Sequence, residues 1–156
     1  IEAIKIYQGI AYIDMNNYMR GKTDYISNSN LETIKRLTKV IDKCEIKEDM
    51  VLARGTTISW FGDKDFVSLK AGDVLLDDGF FSASVNGEKA KQFAKRKGSR
   101  GVLAEIKVPK GTKAVFVDTA VGSHWEAEFI FEPGTKVVIE EKWVEDGIKR
   151  VRGVVK

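Results

Sequence analysis

Apolar side chains recur at helical spacing between residues 31 and 44, which predicts a helix with one buried face. Ser29 and Glu32 stand three positions apart at its beginning, and this capping-box pattern makes Ser29 the predicted N-cap. An earlier helix is predicted from about Gln8 to Arg20, where Gly21 ends it.

A further helix is predicted in the middle of the chain. Asn86 is its expected N-cap and Gly98 its stop. Its buried face is expected to consist of Ala90, Phe93 and Ala94, which lie on one side of a helix.

The rest of the chain consists of short apolar or alternating segments separated by Gly, Asp and Pro, a pattern typical of strands and turns. Helices dominate the first third and strands the remainder, which favours an α+β fold. We expect N-terminal helices packed on a mostly antiparallel β-sandwich core of two sheets, in a single domain over residues 1–156. The predicted strands are Met50–Ala53, Asp78–Val85, Gly101–Val108, Ala114–Val117, Trp125–Phe131, Lys136–Glu141 and Lys149–Val155.

Charge and composition narrow the class of function. The 26 basic and 23 acidic residues leave a net charge of only +3, which suits an anionic small ligand and argues against a nucleic-acid partner. The densest basic cluster, residues 89–100, is expected to be a solvated helix face. Cys44 and His124 are the only cysteine and histidine, so no cysteine- or histidine-based metal site is expected. No apolar stretch approaches the roughly 20 residues of a membrane span.

Residues 125–131 carry the most informative pattern. Strand side chains alternate between faces, so alternate residues from Ala127 are predicted to be buried, with Glu126 and Glu128 on the other face. At a rise of about 3.3 Å per residue the two glutamate Cα atoms lie ~6.5 Å apart, so their carboxylates repel and titrate together. A solvated strand face also explains such a pair, although Ile130 places an apolar residue on it.

Two other segments present polar groups in a comparable way. Ser82 and Ser84 share one face of their predicted strand, although serine is a poor strand former. Arg54 and Gly55 follow an apolar run, where an arginine fork can bind phosphate and glycine lets a ligand approach the backbone. Taken singly each signal is weak, because an amphipathic strand and a surface arginine at a turn, which is common, also explain them.

The order Arg, Ser-x-Ser, Glu-x-Glu resembles the arginine–serine–glutamate signature of mono-ADP-ribosyltransferase toxins, above all the clostridial binary toxins that modify actin. The likeness extends from about Tyr7 to Glu141, and Tyr7–Tyr12 looks like the family's N-terminal helix. Two positions depart from the family pattern: Ala83 replaces threonine between the serines, and Gly79 replaces a polar residue.

For such an enzyme, the resemblance implies NAD as the ADP-ribose donor and no metal. It implies that Arg54 binds the NAD pyrophosphate with help from Arg96. Tyr7 and Tyr12 would close over the nucleotide.

The resemblance also assigns residues to the nicotinamide and to catalysis. Gly55 would bond the nicotinamide carboxamide and Phe93 would pack on its ring. Ser82 would orient Glu128, the main catalytic acid, and Glu126 would engage the incoming acceptor arginine. Both serines and glutamates would therefore face one cleft.

The acceptor side is implied by the same resemblance. The loop 118–125, with Gly122, Ser123, His124 and Trp125, would face the target protein, and actin is a candidate by analogy. The family also suggests a monomeric, secreted or delivered bacterial toxin domain cut from a longer protein, although no signal peptide is recognisable at the N-terminus.

Two alternatives remain open from the sequence. One is an NAD glycohydrolase on the same fold, with water as the acceptor. The other is a catalytically inert interaction module of a phage or toxin particle, against which the intact arginine, serine and glutamate positions argue.

Overall fold

The computed structural model describes residues 3, 11–62, 64–121 and 124–156, and gives only the backbone for 118–121 and 124–126. Within that part of the chain the helices longer than one turn are α1 (Tyr12–Met19), α2 (Asn28–Asp42) and α3 (Gly87–Arg96). The strands are β1 (Met50–Thr57), β2 (Val74–Asp77), β3 (Phe81–Ser84), β4 (Gly101–Val108), β5 (Ala114–Val121), β6 (His124–Phe131), β7 (Thr135–Glu145) and β8 (Ile148–Val155).

These eight strands form one hydrogen-bonded sheet in the order β2-β7-β8-β4-β1-β3-β6-β5. Neighbouring strands are antiparallel except β4 and β8. The α+β class and the mostly antiparallel pairing are therefore confirmed. The expected division into two sheets is not, because the pair Ala53–Ser84 joins β1 to β3 and makes the strands continuous.

Two apolar clusters cover the strands. The larger one contains Phe81 and Phe131, whose rings stack with centroids 4.5 Å apart. The smaller one joins Met15 of α1 and Leu37 of α2 to Ile130 of β6. Because neighbouring residues of a strand point to opposite faces, this end of β6 is buried on both sides, which explains the apolar Ile130.

The second helix begins two residues earlier than the capping-box pattern predicted. Ser27 is the N-cap, because its backbone is extended and its hydroxyl accepts from the Asn30 N–H at 3.1 Å. Ser29 lies inside the helix, where its carbonyl accepts from the Thr33 hydroxyl. Glu32 forms an i,i+4 ion pair with Arg36 instead of reaching back to the cap.

The ends of the other two helices agree better with the sequence. Asn86 caps α3 through its side-chain oxygen, which accepts from the two backbone N–H groups of residues 88 and 89. Gly98 has a positive φ just beyond the end of α3, and Gly21 has one just beyond α1. Residues 8–10, which were predicted to belong to the first helix, lie outside the described residues.

One buried position in α3 was predicted wrongly. Ala90 and Ala94 are buried, but Phe93 is 41% exposed. The reason is close packing: a Cβ on Gly101 would lie 1.9 Å from the Ala94 carbonyl oxygen, so the helix backbone almost touches the strand. At that distance only alanine fits beneath the helix, and the phenylalanine is displaced to its rim.

Several strands are longer than their apolar runs predicted. β1 continues through Arg54 and Gly55 to Thr57, so this pair lies within a strand and not at its end. β2 was not predicted at all. Of its two buried positions, one carries the apolar Leu75 and the other the charged Asp77, so the buried face does not read as apolar. The tightest agreement is β4, whose predicted and observed ends coincide.

The predicted acceptor loop is mostly strand. β5 runs to Val121 and β6 starts at His124, so most of the segment 118–125 forms a hairpin with paired backbones. Gly122 and Ser123 lie outside the described residues.

The contact between Gly101 and α3 yields a stability prediction. We expect Gly101→Ala to lower the free energy of unfolding by about 2–3 kcal/mol, since its Cβ would collide with backbone. Urea denaturation measures the effect. Gly87→Ala, whose Cβ would meet nothing within 4 Å, is the matched control and is expected to be neutral or slightly stabilising. Equal stability of the two variants would contradict this account of the packing.

Candidate active site

A cleft of about 670 Å³ opens where β1, β3 and β6 meet the side of α3. The cleft lies at the join between two groups of strands, where β1 of the group β2-β7-β8-β4-β1 meets β3 of the group β3-β6-β5. Residues distant in sequence therefore line one space. Seven of the predicted site residues line it: Tyr12, Arg54, Gly55, Ser82, Phe93, Arg96 and Glu128.

Arg54 lies in the middle of β1 and reaches across the join. Its Nη1 donates to the Ser82 carbonyl oxygen at 3.0 Å. The guanidinium carbon also lies 4.6 Å from the ring centroid of Trp60, close enough for a cation–π contact. Arg54 is therefore held by a hydrogen bond from the edge of its guanidinium and by contact with the face of the Trp60 ring.

The two serines and Glu128 follow from the register of β3 and β6. Ser84 lies directly opposite Glu128, and Ser82 lies opposite Ile130 on the same face. The Ser84 hydroxyl donates to the Ala127 carbonyl at 3.2 Å and accepts from the Asn86 N–H at 2.9 Å. Ser84 thus links β3, β6 and the start of α3, and a role of Ser82 in orienting Glu128 remains a prediction.

Close packing explains why position 55 is a glycine, and the sequence did not reveal this reason. A Cβ at this position would lie 2.2 Å from the Ala90 carbonyl oxygen and 2.9 Å from the Phe93 Cβ. The absent side chain therefore admits α3 against β1. Gly55 also lines the cleft, so an additional contact with the nicotinamide stays a prediction.

The side of α3 that faces the cleft is cationic. Lys89, Arg96 and Lys97 line the cleft together with Phe93, and the Lys97 ammonium lies 5.1 Å from the Phe93 ring centroid. Arg96 and Lys97 are exposed and Lys89 is half-buried, so this basic face is solvated as expected and also lines the cleft. In the sequence these residues stand at positions i, i+7 and i+8, which lie on one side of a helix. This spacing, and not the net charge, is the signal that groups them.

Other predicted site residues are described by their backbones only or lie outside the described part of the chain. Tyr7, Gly122 and Ser123 lie outside it. Glu126 is placed by its backbone, opposite Thr119 and two positions before Glu128 in β6. His124 and Trp125 are likewise placed by their backbones only.

A buried ion pair behind the cleft was not predicted. Asp77 at the end of β2 is only 4% exposed and accepts two hydrogen bonds from Arg20, at 2.8 and 3.0 Å. The Trp60 indole N–H and the Gly79 N–H also donate to it, each at 2.8 Å. The carboxylate thus joins the N-terminal helical region to the sheet and to the ring beneath Arg54.

Gly79 fits the same cluster. A Cβ there would lie 2.8 Å from the Arg20 Nε and 2.9 Å from the Asn16 side-chain oxygen. The polar side chain expected from related sequences therefore has no room here.

Burial alone raises the pKa of Asp77, but the Arg20 hydrogen bonds and charge, with those from Trp60 and Gly79, outweigh it. The pKa therefore lies below its ordinary value, and the group is ionised at neutral pH.

Two negative findings apply to the described part of the chain. It contains no group of three or more His, Cys, Asp or Glu residues arranged to hold a metal ion. None of its helices has the length and apolar character needed to cross a membrane.

Comparison with known proteins bears directly on this cleft. The sequence profile of the ADP-ribosyltransferase exoenzyme family matches residues 1–154, which is nearly the whole chain. The chain belongs to the ADP-ribosyltransferase exoenzyme family. The family resemblance inferred from the arginine, serine and glutamate motifs is confirmed, and the family is one of NAD-dependent transferases and toxins.

Relatives of this ADP-ribosyltransferase exoenzyme are distant in sequence and close in fold. The NAD(+)–arginine ADP-ribosyltransferase EFV of Enterococcus faecalis is 24% identical over 148 residues, covering 90% of this chain and 28% of the relative. The chain therefore spans little more than a quarter of that protein. The C3 exoenzyme of Clostridium limosum is 19% identical with a TM-score of 0.78, covering 99% of this chain and 83% of its own. The ADP-ribosylating toxin BECa of C. perfringens is 20% identical with a TM-score of 0.77, covering 99% and 42%.

The ion pair at Asp77 makes stability depend on pH. Because the folded-state pKa is lowered, the stabilisation is present above the ordinary value of 3.8 and is lost as pH falls through the lower folded-state pKa. We expect Asp77→Asn to lower the free energy of unfolding at pH 7 by about 2–3 kcal/mol. The difference from the wild type is expected to shrink as the pH falls below that range.

Urea denaturation from neutral to acidic pH checks this expectation. The neighbouring, exposed Asp78 supplies the control, since Asp78→Asn is expected to change stability little. A deficit in Asp77→Asn that stays constant with pH would show that the carboxylate charge is not its cause.

Proposed function

We propose that this chain cleaves NAD and transfers its ADP-ribose to an arginine of a target protein, releasing nicotinamide. The observation that carries the proposal is the cleft in which Arg54, Ser82 and Glu128 lie together beside the cationic side of α3. Arginine as the acceptor is supported by Glu126 two residues before Glu128 and by the relative EFV, which is named as an NAD(+)–arginine ADP-ribosyltransferase.

The charges of the cleft suit the donor. Among the described residues that line it, the basic side chains are Arg54, Lys89, Arg96 and Lys97, and the acidic one is Glu128. A pyrophosphate carries two negative charges, and guanidinium groups bind its oxygens through paired N–H donors. NAD as the donor is further supported by the structure of BECa, which was solved with NADH.

We assign the donor half of the reaction to Glu128. Breaking the bond from the ribose to nicotinamide leaves positive charge on the sugar, as in glycoside hydrolysis. A carboxylate beside the ribose stabilises that charge and accepts a hydrogen bond from a ribose hydroxyl. Nicotinamide leaves as a neutral molecule, so a strong acid is not required. Ser82, on the same strand face, would hold the Glu128 carboxylate in place.

We assign the acceptor half to Glu126. A guanidinium is a poor nucleophile because it is always protonated in water. A carboxylate can hold it against the reacting carbon and take a proton as the new bond forms. Positions two apart in a strand share a face, so the two glutamates of β6 would act on donor and acceptor from one side.

The setting follows from the family by analogy. We propose a bacterial toxin or effector domain that is secreted or delivered and acts on a host protein, with actin as one candidate. The acceptor protein would approach the hairpin of β5 and β6, which carries Glu126.

The assay incubates the protein with labelled NAD, with and without agmatine as an arginine analogue. Label on agmatine supports the transferase. Release of ADP-ribose without labelled agmatine identifies an NAD glycohydrolase, and neither cleavage nor binding of NAD identifies an inert module. Labelling a cell lysate and sequencing the modified band would then name the target protein.

Glu128→Ala tests the donor role. We expect NAD hydrolysis and transfer to agmatine both to fall by at least about 100-fold, because electrostatic help to the ribose is removed from both reactions. Initial rates of nicotinamide release and agmatine labelling measure them. Glu48→Gln, at an exposed position away from the cleft, is the control and should keep both rates. Unchanged hydrolysis in Glu128→Ala would contradict the assignment.

Glu126→Gln tests the acceptor role. We expect agmatine labelling to fall by at least about 100-fold while NAD hydrolysis continues, because water needs no carboxylate to hold it as a guanidinium does. The ratio of the two rates is the measurement. An equal loss of both activities would refute the division of work between the two glutamates.

A further inference from the structure

Trp60 lies beneath the arginine that we propose to bind NAD. It belongs to the short 3-10 turn Ile58–Phe61, which directly follows β1. The face of its indole ring meets Arg54, whose guanidinium carbon is 4.6 Å from the ring centroid. Phe81 packs edgewise on the same indole with ring centroids 5.3 Å apart. The ring is therefore in contact with the arginine on one side and with the apolar cluster on another.

The edge of the indole is fixed by a buried charge. Its N–H donates to the Asp77 carboxylate at 2.8 Å, and Arg20 binds the same carboxylate through two nitrogens. The hydrogen bond at its edge and the packing against the ring fix the plane of the Trp60 indole. Its rotamer preference alone would not fix this plane.

We propose that Trp60 is a positioning residue that holds Arg54 in its NAD-binding orientation and transmits the order of the Asp77–Arg20 ion pair to the cleft. This rests on the proposed function, in which Arg54 binds the pyrophosphate. Arginine has several rotatable bonds, and ordering them before the ligand arrives lowers the entropic cost of binding. The indole supplies the face contact and the Ser82 carbonyl the edge contact that together achieve this order.

Two substitutions separate the parts of this arrangement. Trp60→Phe keeps an aromatic face but loses the N–H donor to Asp77, whereas Trp60→Leu removes both. We expect KM for NAD to rise about tenfold in Trp60→Leu and less in Trp60→Phe, in line with a desolvated cation–π contact. The kcat of NAD hydrolysis should stay within about twofold, because a pyrophosphate contact is equal in ground and transition states.

Trp143 provides a matched control. It is also partly buried and lies 5.2 Å from an arginine guanidinium, that of Arg152, but outside the cleft. Trp143→Leu should leave KM for NAD unchanged, even where it lowers the melting temperature. A role of Trp60 in stability alone would give both leucine variants the same KM.

A second measurement needs no NAD. The Nε–H resonance of Arg54, identified by its disappearance in Arg54→Lys, should be shifted by the indole ring current in the ligand-free protein. The shift should be reduced in Trp60→Phe and lost in Trp60→Leu. Retention of the resonance position in Trp60→Leu would overturn the proposal, and so would an unchanged KM. Failure of the wild type to cleave NAD would instead remove the proposed function, while the resonance still reports whether Trp60 orders Arg54.

Discussion

The cleft depends on one hydrogen bond, from the Arg54 guanidinium to the Ser82 carbonyl, across the narrow join between β1 and β3. The two strands share the paired residues Ala53 and Ser84, and on either side of that pair they part. A sheet that opens in this way exposes side chains from its interior without leaving a long unpaired edge. The arginine bridges the gap, so the same charge both joins the strand groups and faces the proposed ligand.

Close packing of α3 determines the other wall. Gly55 on β1 and Gly101 on β4 have no Cβ, and in each case a Cβ would overlap a carbonyl oxygen of the helix. The helix therefore approaches the sheet until its backbone is in contact, with only alanines beneath it. Its longer side chains lie at the rim, where Phe93 and three basic residues line the same cleft as Arg54.

Behind the cleft, the ion pair of Asp77 and Arg20 links helix and sheet. A buried carboxylate costs desolvation energy, which the hydrogen bonds from Arg20, Trp60 and Gly79 offset. One of these donors is the Trp60 indole, which also contacts Arg54. The same residue therefore pairs with the buried carboxylate and contacts the arginine that we propose to bind NAD.

The sequence by itself determined what depends on neighbouring residues. Period-two alternation located β4 and most of β6, the side-chain oxygen of Asn86 marked the start of α3, and the motif order identified the family. The N-cap of α2 was predicted wrongly from its local pattern, because Ser27 and Ser29 can both cap a helix.

Contacts over long sequence distances were decided only by the tertiary structure. Gly55 admits a helix 35 residues later in the chain, Lys89 and Arg96 line the same cleft as Arg54, and the carboxylate of Asp77 is paired with Arg20. None of these follows from periodicity, because each depends on how elements cross and how closely their backbones approach.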